Sequence, residues 1–401
     1  MEEKVSYDFS ESSEREDTNA EKYTLRQKLF ATEDVIPAWV ADMDIDTPDF
    51  VLDAVKKRLN HPVIGYEDIP ESAFAAQIQW MHKEHGVLFD IKDMLYSHSV
   101  VASMSVAIEA FTTRNEKIIV QTPVYPPFFH SVTDANRELV KNPLKLQSDG
   151  TYTFDIEDLK TKIDKDTKLL LLCSPHNPVG RVWRRDELMQ ILEVCLENNI
   201  IVFADEIHSD LVYKPNVHIP FASLSQRAKD ITITAIGVGK TFNMAGFAIS
   251  TIAIPNENLR QRFKKVYDKN HFAQGSVLSH VAFEAAYTHG KAWLEDLKVH
   301  LKRNFTLLQT LCEVYPQDIQ LTNTQGTYLA WLDCRGMQLR DKALREFFIK
   351  DARLGLSLGL SFGKEGSGFM RLNFAVSSAK MLEIIQRLDN ALSKRKKRDN
   401  I

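Results

Sequence analysis

The chain has 401 residues, of which 44% are hydrophobic and 26% are charged. This composition excludes wholesale disorder, and the length predicts two domains or one large elaborated domain. The formal net charge of −4 gives no electrostatic reason to expect nucleic acid or an anionic membrane as the main partner.

An irregular N-terminal arm is predicted over residues 1–48. Its first residues read MEEKVSYDFSESSERED, which is acidic and polar, whereas a secretory signal is basic and then apolar. No apolar run in the chain approaches the roughly 18 residues that a membrane-spanning helix requires. We therefore expect a cytoplasmic protein with no membrane partner.

The cysteines do not predict a metal site. All four are scattered, form no CxxC pair and lack histidines at ligand spacing. We expect reduced thiols that mostly pack as small hydrophobic side chains.

Residues 49–289 alternate between short apolar runs and amphipathic stretches. Runs such as KLLLLC and IIVFA show no polar alternation, which indicates strands buried on both faces. Strands that alternate with helices of ten or more residues favour crossover connections, so this region predicts a large α/β domain with a mainly parallel sheet. The predicted strands cover residues 118–121, 168–173, 200–204, 231–236 and 250–253, and the predicted helices include residues 103–111 and 185–197.

Residues 290–401 predict a smaller α+β domain, completed by the N-terminal arm. A long helix over residues 291–314 leads into LTNTQGTYLAWLD, then another helix, then GFMRLNFA and a final helix over residues 378–394. The basic run KRKKR that follows suits a helix C-terminus and is interpreted as a solubilising tail, not as a nucleic-acid contact.

The stretch ITITAIGVGKTFNMAGF (residues 231–247) raises two hypotheses for Lys240. The end of a nucleotide-binding P-loop, G-x-x-x-x-G-K-[ST], fits GVGKT. However, Thr234 occupies the position of the first glycine, which lets such a loop wrap around the phosphate. FNMAGF also lacks the pattern of a long helix that would hold the phosphate at its N-terminus. The nucleotide hypothesis is therefore weak, and it predicts a colourless protein.

Three strand-end loops supply the second hypothesis. Asn177 follows KLLLLC, Asp205 and His208 follow IIVFA, and Lys240 follows ITITAI. Ligands of parallel sheets bind outside the carboxyl ends of the strands, so these side chains are expected to face one crevice. A lysine that forms a Schiff base and an aspartate that keeps a pyridinium nitrogen protonated are what pyridoxal phosphate requires.

Five motifs extend this pattern to a family resemblance. HNPVGRVW, ADEIH and GKTFNMAG, together with WVADMD and PVYPPF, resemble the fold-type I pyridoxal-phosphate enzymes of the class I/II aminotransferase superfamily. More narrowly, they resemble the MalY/PatB branch, the cystathionine β-lyases or cysteine-S-conjugate β-lyases. The resemblance runs in the expected order from about residue 36 to the last helix. It implies a pyridoxal-phosphate-dependent transferase fold and a homodimer.

The resemblance implies roles around the cofactor ring. Lys240 would bind the cofactor covalently, and Asp205 would pair with the pyridinium nitrogen. Asn177 would hydrogen-bond the phenolic oxygen, with His208 where many aminotransferases carry a tyrosine. Tyr125, in PVYPPF, would stack on the ring face.

Further roles concern the phosphate and the substrate. Val100 and Val101 fall where the phosphate meets a helix N-terminus, so their N–H groups would donate to it. Tyr66, in VIGYED, matches a tyrosine that reaches the phosphate of the neighbouring subunit. Arg371, in GFMRLNFA, matches the arginine that binds the substrate α-carboxylate, a task suited to its bidentate fork.

The sequence departs from the family at the phosphate. Family members commonly carry a hydroxyl residue just before the reactive lysine or three residues before it, but this chain has Gly239 and Gly237 there. No arginine follows Lys240 closely, as it does in aminotransferases. We therefore expect main-chain donors to hold more of the phosphate.

The resemblance implies a C–S β-lyase acting on L-cystathionine or related cysteine S-conjugates. An aminotransferase is the nearest alternative and stays open, because it needs the same lysine, aspartate, asparagine and arginine. A transcriptional modulator is an alternative of another class, but no stretch resembles a DNA-reading module.

Overall fold

The structure, a computed structural model, describes residues 6–399. Residues 1–5 of the predicted arm and residues 400 and 401 lie outside the described part. The helices are α1 (Glu21–Thr24), α2 (Arg26–Phe30), α3 (Asp49–Leu59), α4 (Glu71–His85), α5 (Val100–Phe111), α6 (Pro127–Asp134), α7 (Ile156–Lys162), α8 (Arg185–Glu197), α9 (Gln226–Ile231), α10 (Val238–Thr241), α11 (Glu257–Lys269), α12 (Val277–His289), α13 (Lys291–Val314), α14 (Asp341–Glu346) and α15 (Ser378–Asp399). The strands are β1 (Ile36–Pro37), β2 (Met94–Ser97), β3 (Lys117–Thr122), β4 (Glu138–Pro143), β5 (Lys145–Leu146), β6 (Tyr152–Thr153), β7 (Thr167–Cys173), β8 (Ile201–Asp205), β9 (Thr232–Ile236), β10 (Ser250–Ala253), β11 (Gln320–Leu321), β12 (Leu329–Asp333), β13 (Leu354–Gly355), β14 (Ser357–Leu358) and β15 (Phe369–Asn373).

A seven-stranded sheet forms the centre of the molecule, in the order β2-β10-β9-β8-β7-β3-β4. All neighbouring pairs are parallel except those of β10, which runs antiparallel to both β2 and β9. Apolar clusters cover both faces, which explains the continuous apolar runs LLLLC in β7 and IVFA in β8. The prediction of a mainly parallel α/β sheet is confirmed.

The predicted strands match β3, β7, β8, β9 and β10 to within one residue at each end. Two strands of this sheet, β2 and β4, have no counterpart in the prediction. Strand β4 reads ELVKNP, and because it is an edge strand, only one of its six residues is fully buried. Such a segment carries neither a continuous apolar run nor a clear alternation.

Helix ends follow local capping chemistry. The Ser99 hydroxyl accepts a hydrogen bond from Ala102 N at the start of α5, and the Asn256 side chain accepts from Asn258 N and Leu259 N at the start of α11. Helix α4 ends at His85 and is capped by Gly86, whose φ of 68° lies in the left-handed region. Helices α8 and α13 have the predicted bounds, whereas α5 begins three residues earlier than predicted.

A second sheet has the order β11-β12-β15-β14 and is antiparallel throughout. The N-terminal arm adds to this part of the molecule, since β1 pairs in parallel with β13 and Asp44 bridges to Val376. These pairings are consistent with an arm that completes a small domain. The division at residues 48 and 289 remains our proposal.

No helix within residues 6–399 is long and apolar enough to cross a membrane. The cysteines are all buried, and none forms a disulfide.

Candidate active site

A cavity of about 200 Å³ lies at the carboxyl ends of β7, β8 and β9. Because these three strands are parallel neighbours, the residues that follow them converge at one edge of the sheet. Eight of the nine predicted site residues are in or beside this cavity, and only Tyr66 is remote from it within the chain. The lining residues are Ala41, His98, Ser99, Val100, Val101, Tyr125, Cys173, Asn177, Asp205, Ile207, His208, Gly239, Lys240, Ala245, Ala248, Ile249 and Ser250.

Lys240 lies in the short helix α10, directly after β9. Its Nζ donates a hydrogen bond of 2.6 Å to the main-chain carbonyl of Ala41. Burial lowers the pKa of Lys240 to about 8, with Arg371 also disfavouring the charge, while Asp42 and Asp205 oppose the shift. The amine is therefore still mostly protonated at neutral pH, but it loses its proton far more readily than an exposed lysine, as a nucleophile or base requires.

Asp205 is the last residue of β8 and is buried. Burial raises its pKa to about 7, although a hydrogen bond from Ile207 N and the nearby Lys240 work in the opposite direction. The carboxyl therefore holds a proton readily, and a cationic ring nitrogen at this position would favour the carboxylate form. An ionised Asp205 beside a pyridine nitrogen would stabilise the protonated form of that nitrogen.

Asn177 and Arg371 meet although they are 194 residues apart in the sequence. The Asn177 Oδ1 accepts a hydrogen bond of 3.0 Å from Arg371 Nη1, so the Asn177 amide N–H groups point elsewhere and can donate to a ligand oxygen. Arg371 Nη2 donates to the carbonyl of Trp39 at 2.5 Å. Burial lowers the pKa of Arg371 to about 10, which still leaves the guanidinium charged at neutral pH.

Arg371 is held by uncharged acceptors. Among the residues that the structure describes, no carboxylate forms an ion pair with Arg371, and its Nε has no hydrogen-bond partner. The guanidinium is also 4.8 Å from the ring centroid of Phe362. A buried arginine with its charge uncompensated is suited to bind an incoming carboxylate.

His208 and Tyr125 border the cavity on different sides. His208 is buried, and burial together with Lys240 and Arg371 lowers its pKa to about 3, so the imidazole is neutral. Its Nδ1 has no partner among the described residues. Tyr125 retains 36% exposure, and burial of its hydroxyl region raises its pKa. Its partly open ring can stack on a planar ligand, in keeping with the predicted role.

The start of α5 supplies main-chain donors. Val100 and Val101 occupy the first two positions of this helix, and their N–H groups have no acceptor within it. Ser99 caps the next N–H, that of Ala102, at 3.1 Å, which leaves the Ser99 hydroxyl proton free to donate. This arrangement can bind an anionic group.

The structure leaves different amounts of space for a side chain at Gly237 and at Gly239, the two glycines before Lys240. A Cβ at Gly237 would lie 3.1 Å from both Ile207 Cδ1 and Ser250 Cβ, so a side chain there requires one of them to shift. At Gly239 a Cβ would make only an ordinary contact of 3.5 Å with Ala245. Ser250, which packs against Gly237, also lines the cavity, and its hydroxyl donates a hydrogen bond of 3.3 Å to the carbonyl of Ser97. Sequence reasoning missed Ser250, because its proximity depends on the pairing of β10 with β9.

Tyr66 does not reach the cavity of its own chain. It is 93% exposed, in a non-helical segment between α3 and α4. This exposure leaves it available to a neighbouring subunit, and its predicted role remains a prediction.

The residues present fit pyridoxal phosphate. One cavity holds an amine of lowered pKa, a buried carboxyl group of raised pKa, an asparagine with free amide N–H groups and a helix N-terminus whose first two N–H groups have no acceptor within the helix. These match, respectively, an aldehyde carbon, a ring nitrogen, a phenolic oxygen and a phosphate. The unpartnered Nδ1 of His208 also points to a missing ligand.

In the ligand-free protein, we expect Lys240→Met to raise the free energy of unfolding at neutral pH, because the buried ammonium is removed. The native pKa is about 8 and the ordinary value is 10.5, so the unfolded chain binds more protons between these pH values. The free energy of unfolding of the wild type therefore rises with pH in that window, and its difference from that of Lys240→Met becomes smaller.

Urea unfolding at neutral pH and near pH 10.5 measures this difference. Lys57→Met, on the exposed face of α3, serves as the control and should show no such change. If Lys240→Met is more stable than the wild type by the same amount at both pH values, the buried ammonium is not the cause.

The comparisons with known proteins agree with this chemistry. Residues 38–388 match the family described as aminotransferase class I and II. The chain is 37% identical to cystathionine β-lyase PatB of Bacillus subtilis (strain 168), over 96% of this chain and 100% of that protein. It is 30% identical to protein MalY of Escherichia coli (strain K12), over 96% and 99% respectively.

Two solved structures have the same fold over nearly the whole chain. Cystalysin from Treponema denticola, which contains a pyridoxal 5′-phosphate cofactor, matches with a TM-score of 0.94 at 33% identity, over 97% of this chain and 100% of that chain. A pyridoxal-phosphate-bound protein from Clostridium difficile 630, provisionally described as an aminotransferase, matches with a TM-score of 0.94 at 36% identity, over 96% and 100%. The predicted fold class is confirmed.

Proposed function

Because the chain belongs to the class I and II aminotransferase family, in the branch that contains the cystathionine β-lyases PatB and MalY, we propose that it is a carbon–sulfur β-lyase. Its cofactor is pyridoxal 5′-phosphate. The substrate is L-cystathionine or a related cysteine S-conjugate. With one water, α,β-elimination converts this substrate into a thiol (homocysteine from cystathionine), pyruvate and ammonia.

One observation carries the proposal: the amine of Lys240 shares a single cavity with Asp205 and Asn177, and Asn177 is hydrogen-bonded to Arg371. An α-amino acid bound by Arg371 through its carboxylate would have its Cα within this cavity. Lysine and arginine are thus arranged for chemistry at the α-carbon of an amino acid.

The chain offers a partner for each part of the cofactor. Lys240 would bind it covalently, Asp205 would face the ring nitrogen, and Asn177 would donate to the phenolic oxygen. Tyr125 would stack on one ring face, with neutral His208 near the phenolic edge. Besides the N–H groups of Val100 and Val101, we propose the hydroxyl of Ser99 as a phosphate donor, in place of the family hydroxyls that are glycine in this chain. The Ser250 hydroxyl would join it by exchanging its hydrogen bond to the Ser97 carbonyl for one to the phosphate.

Bound pyridoxal phosphate would supply an electron sink that stabilises negative charge at the substrate Cα. Arg371 fixes the substrate carboxylate with its Nη groups and so orients the Cα–H bond. The amine of Lys240, once free, takes the Cα proton as general base. Asp205 keeps a proton on the ring nitrogen, and the Cβ–S bond then breaks. The protonated Lys240 can return its proton to the departing sulfur.

A substrate panel tests the function. Purified protein is given L-cystathionine, L-cystine and a keto-acid acceptor with a simple amino acid, and pyruvate, thiol and amino-group transfer are measured. We expect pyruvate and thiol in equal amounts from cystathionine. If cystathionine and cystine release neither, the lyase proposal fails.

Amino-group transfer is the second candidate function. It needs the same residues, and a close structural match carries an aminotransferase description. Net transfer to the keto acid that exceeds pyruvate release would favour it. The identity to two curated relatives of the lyase branch is the reason that we place elimination first.

We also propose a cytoplasmic homodimer. The exposed apolar side chains of Leu59, Val63, Ile64 and Tyr66 lie close together in sequence, at the end of α3 and in the segment that leads to α4. A second copy that covers them would place Tyr66 near the phosphate site of its neighbour. Light scattering of the purified protein tests the assembly, and a monomer at micromolar concentration would contradict it.

A further inference from the structure

An irregular segment of the N-terminal arm separates the reactive lysine from the carboxylate-binding arginine. Residues 39–43 belong to neither a helix nor a strand. Even so, every main-chain carbonyl in this segment accepts a hydrogen bond from a side chain. We call residues 39–43 the carbonyl strap.

Two donors to the carbonyl strap are the active-site cations. Arg371 Nη2 donates to Trp39 O at 2.5 Å, and Lys240 Nζ donates to Ala41 O at 2.6 Å. Tyr328 also donates to Ala41 O, at 2.8 Å. The two groups that bracket the substrate α-carbon are thus attached to carbonyls two residues apart in one short segment.

Two asparagines fix the strap from opposite sides. Asn373, two residues after Arg371, donates to Val40 O at 2.7 Å and to Asp42 O at 2.5 Å. Asn243, three residues after Lys240, donates to Met43 O at 3.0 Å and accepts from Met43 N at 2.9 Å. Asn373 therefore ties the strap to β15, which also carries Arg371. Asn243 ties it to the segment that follows α10, the helix that carries Lys240.

A buried charge cluster anchors the end of the strap. Lys22, whose side chain is fully buried, donates to Asp42 O at 3.1 Å and pairs with Asp42 and Asp44 at 3.0 and 3.2 Å. Arg15 adds ion pairs of 2.8 Å to the same two aspartates. These contacts hold Asp42 through both its main chain and its side chain, so the end of the strap has a defined position.

Main-chain carbonyls are suitable acceptors for holding Arg371 and Lys240 because they carry no charge. A carboxylate partner would neutralise Arg371 and compete with the substrate carboxylate for its donors. A main-chain carbonyl orients the guanidinium and leaves its charge available. The same holds for Lys240, which a carboxylate partner would keep protonated.

We propose that the carbonyl strap sets the position of Arg371 relative to Lys240, and that Asn243 and Asn373 are the positioning residues that hold it. This inference rests on the proposed role of Arg371 in binding an amino-acid carboxylate. It extends the active site to an irregular segment that belongs to neither sheet and whose contribution is made by the main chain.

Double-mutant analysis of amino-acid binding tests the proposal. The yellow holoenzyme is titrated with L-alanine, which has no β leaving group, and binding is followed by the change in visible absorbance. The variants are Asn373→Ala and Asn243→Gly, alone and together; glycine is chosen because residue 243 has a left-handed φ of 51°. If Asn373→Ala does not fold, Asn373→Ser replaces it.

We expect each single variant to weaken L-alanine binding about tenfold, and the double variant to weaken it far less than a hundredfold, because both act through one strap. Asn304→Ala is the matched control: Asn304 is as buried as Asn373 and donates to the carbonyls of Phe374 and Val376, but not to the strap. The control should change binding less than about twofold.

The proposal is overturned if the losses of L-alanine affinity in the two single variants multiply in the double variant. It is also overturned if the single variants bind L-alanine as the wild type does, or lose no more affinity than Asn304→Ala. Thermal melting of each variant shows whether weaker binding merely follows lost stability. A wild type that binds L-alanine but releases no pyruvate from cystathionine would contradict the proposed reaction only, so the two failures are distinguishable.

Discussion

Lys240→Ala is expected to lower the rate of pyruvate release from cystathionine by about 10⁴-fold or more, the upper range for loss of a general base, because the covalent attachment of the cofactor is lost as well. The wild type should be yellow and should carry, after borohydride reduction, a mass adduct on the peptide that contains Lys240. The variant should show no such adduct. Coupled pyruvate assays and peptide mass spectrometry measure both results.

A second partly buried lysine provides the control for Lys240→Ala. Burial also lowers the pKa of Lys298, but Lys298 lies in α13 and does not line the cavity. Lys298→Ala should therefore keep both the colour and the activity. A Lys240→Ala protein within about tenfold of the wild-type rate would show that another group removes the Cα proton.

Asp205→Asn is expected to lower kcat by about 10²–10³-fold, the usual range when a preorganised charge is removed from a reaction centre. The amide has nearly the same shape, so cofactor binding should weaken less than catalysis. An amide cannot hold the ring nitrogen in its protonated form, which weakens the electron sink. Steady-state kinetics and the visible spectrum of the holoenzyme measure the effect.

The stability of ligand-free Asp205→Asn has a pH dependence of defined sign. The pKa of Asp205 is about 7 in the folded protein and 3.8 ordinarily, so the native state binds more protons between these pH values. Wild-type stability therefore contains a contribution from Asp205 that falls as pH rises through this window. Asp205→Asn lacks this loss and should be relatively more stable at pH 7 than at pH 4, as denaturant unfolding can show.

Asp93→Asn is the control for Asp205→Asn. Asp93 is also buried, but it pairs with Arg260 at 3.0 Å and does not line the cavity. Its replacement should lower stability, because an arginine loses its partner, while pyruvate release remains within about twofold. An Asp205→Asn enzyme with similarly preserved kcat would remove Asp205 from the proposed mechanism.

The fold follows from patterns that can be read along the chain. Short runs rich in apolar and β-branched residues identified five strands of the large sheet, because a strand buried on both faces has few charged positions. The edge strand β4 was missed for the complementary reason, since half-exposed strands carry little hydrophobic signal. Arg185–Glu197 and Lys291–Val314 were predicted to the residue, because amphipathic helices of this length are strongly periodic.

The sequence by itself also located the reactive groups. Asn177, Asp205 and Lys240 each follow a parallel strand, and topology alone brings such positions to one edge of the sheet. Motif resemblance added Arg371, Tyr125 and the start of α5. Family membership, and with it the cofactor, therefore needed no coordinates.

Tertiary structure decided what holds these groups in place. The hydrogen bond between Asn177 and Arg371 and the contact of Ser250 with Gly237 depend on packing between distant segments. The pKa values of Lys240 and Asp205 follow from burial, which a residue type does not specify. The carbonyl strap is the clearest case: a main-chain carbonyl is the same at every residue, so only the fold determines which carbonyls meet the catalytic lysine and arginine.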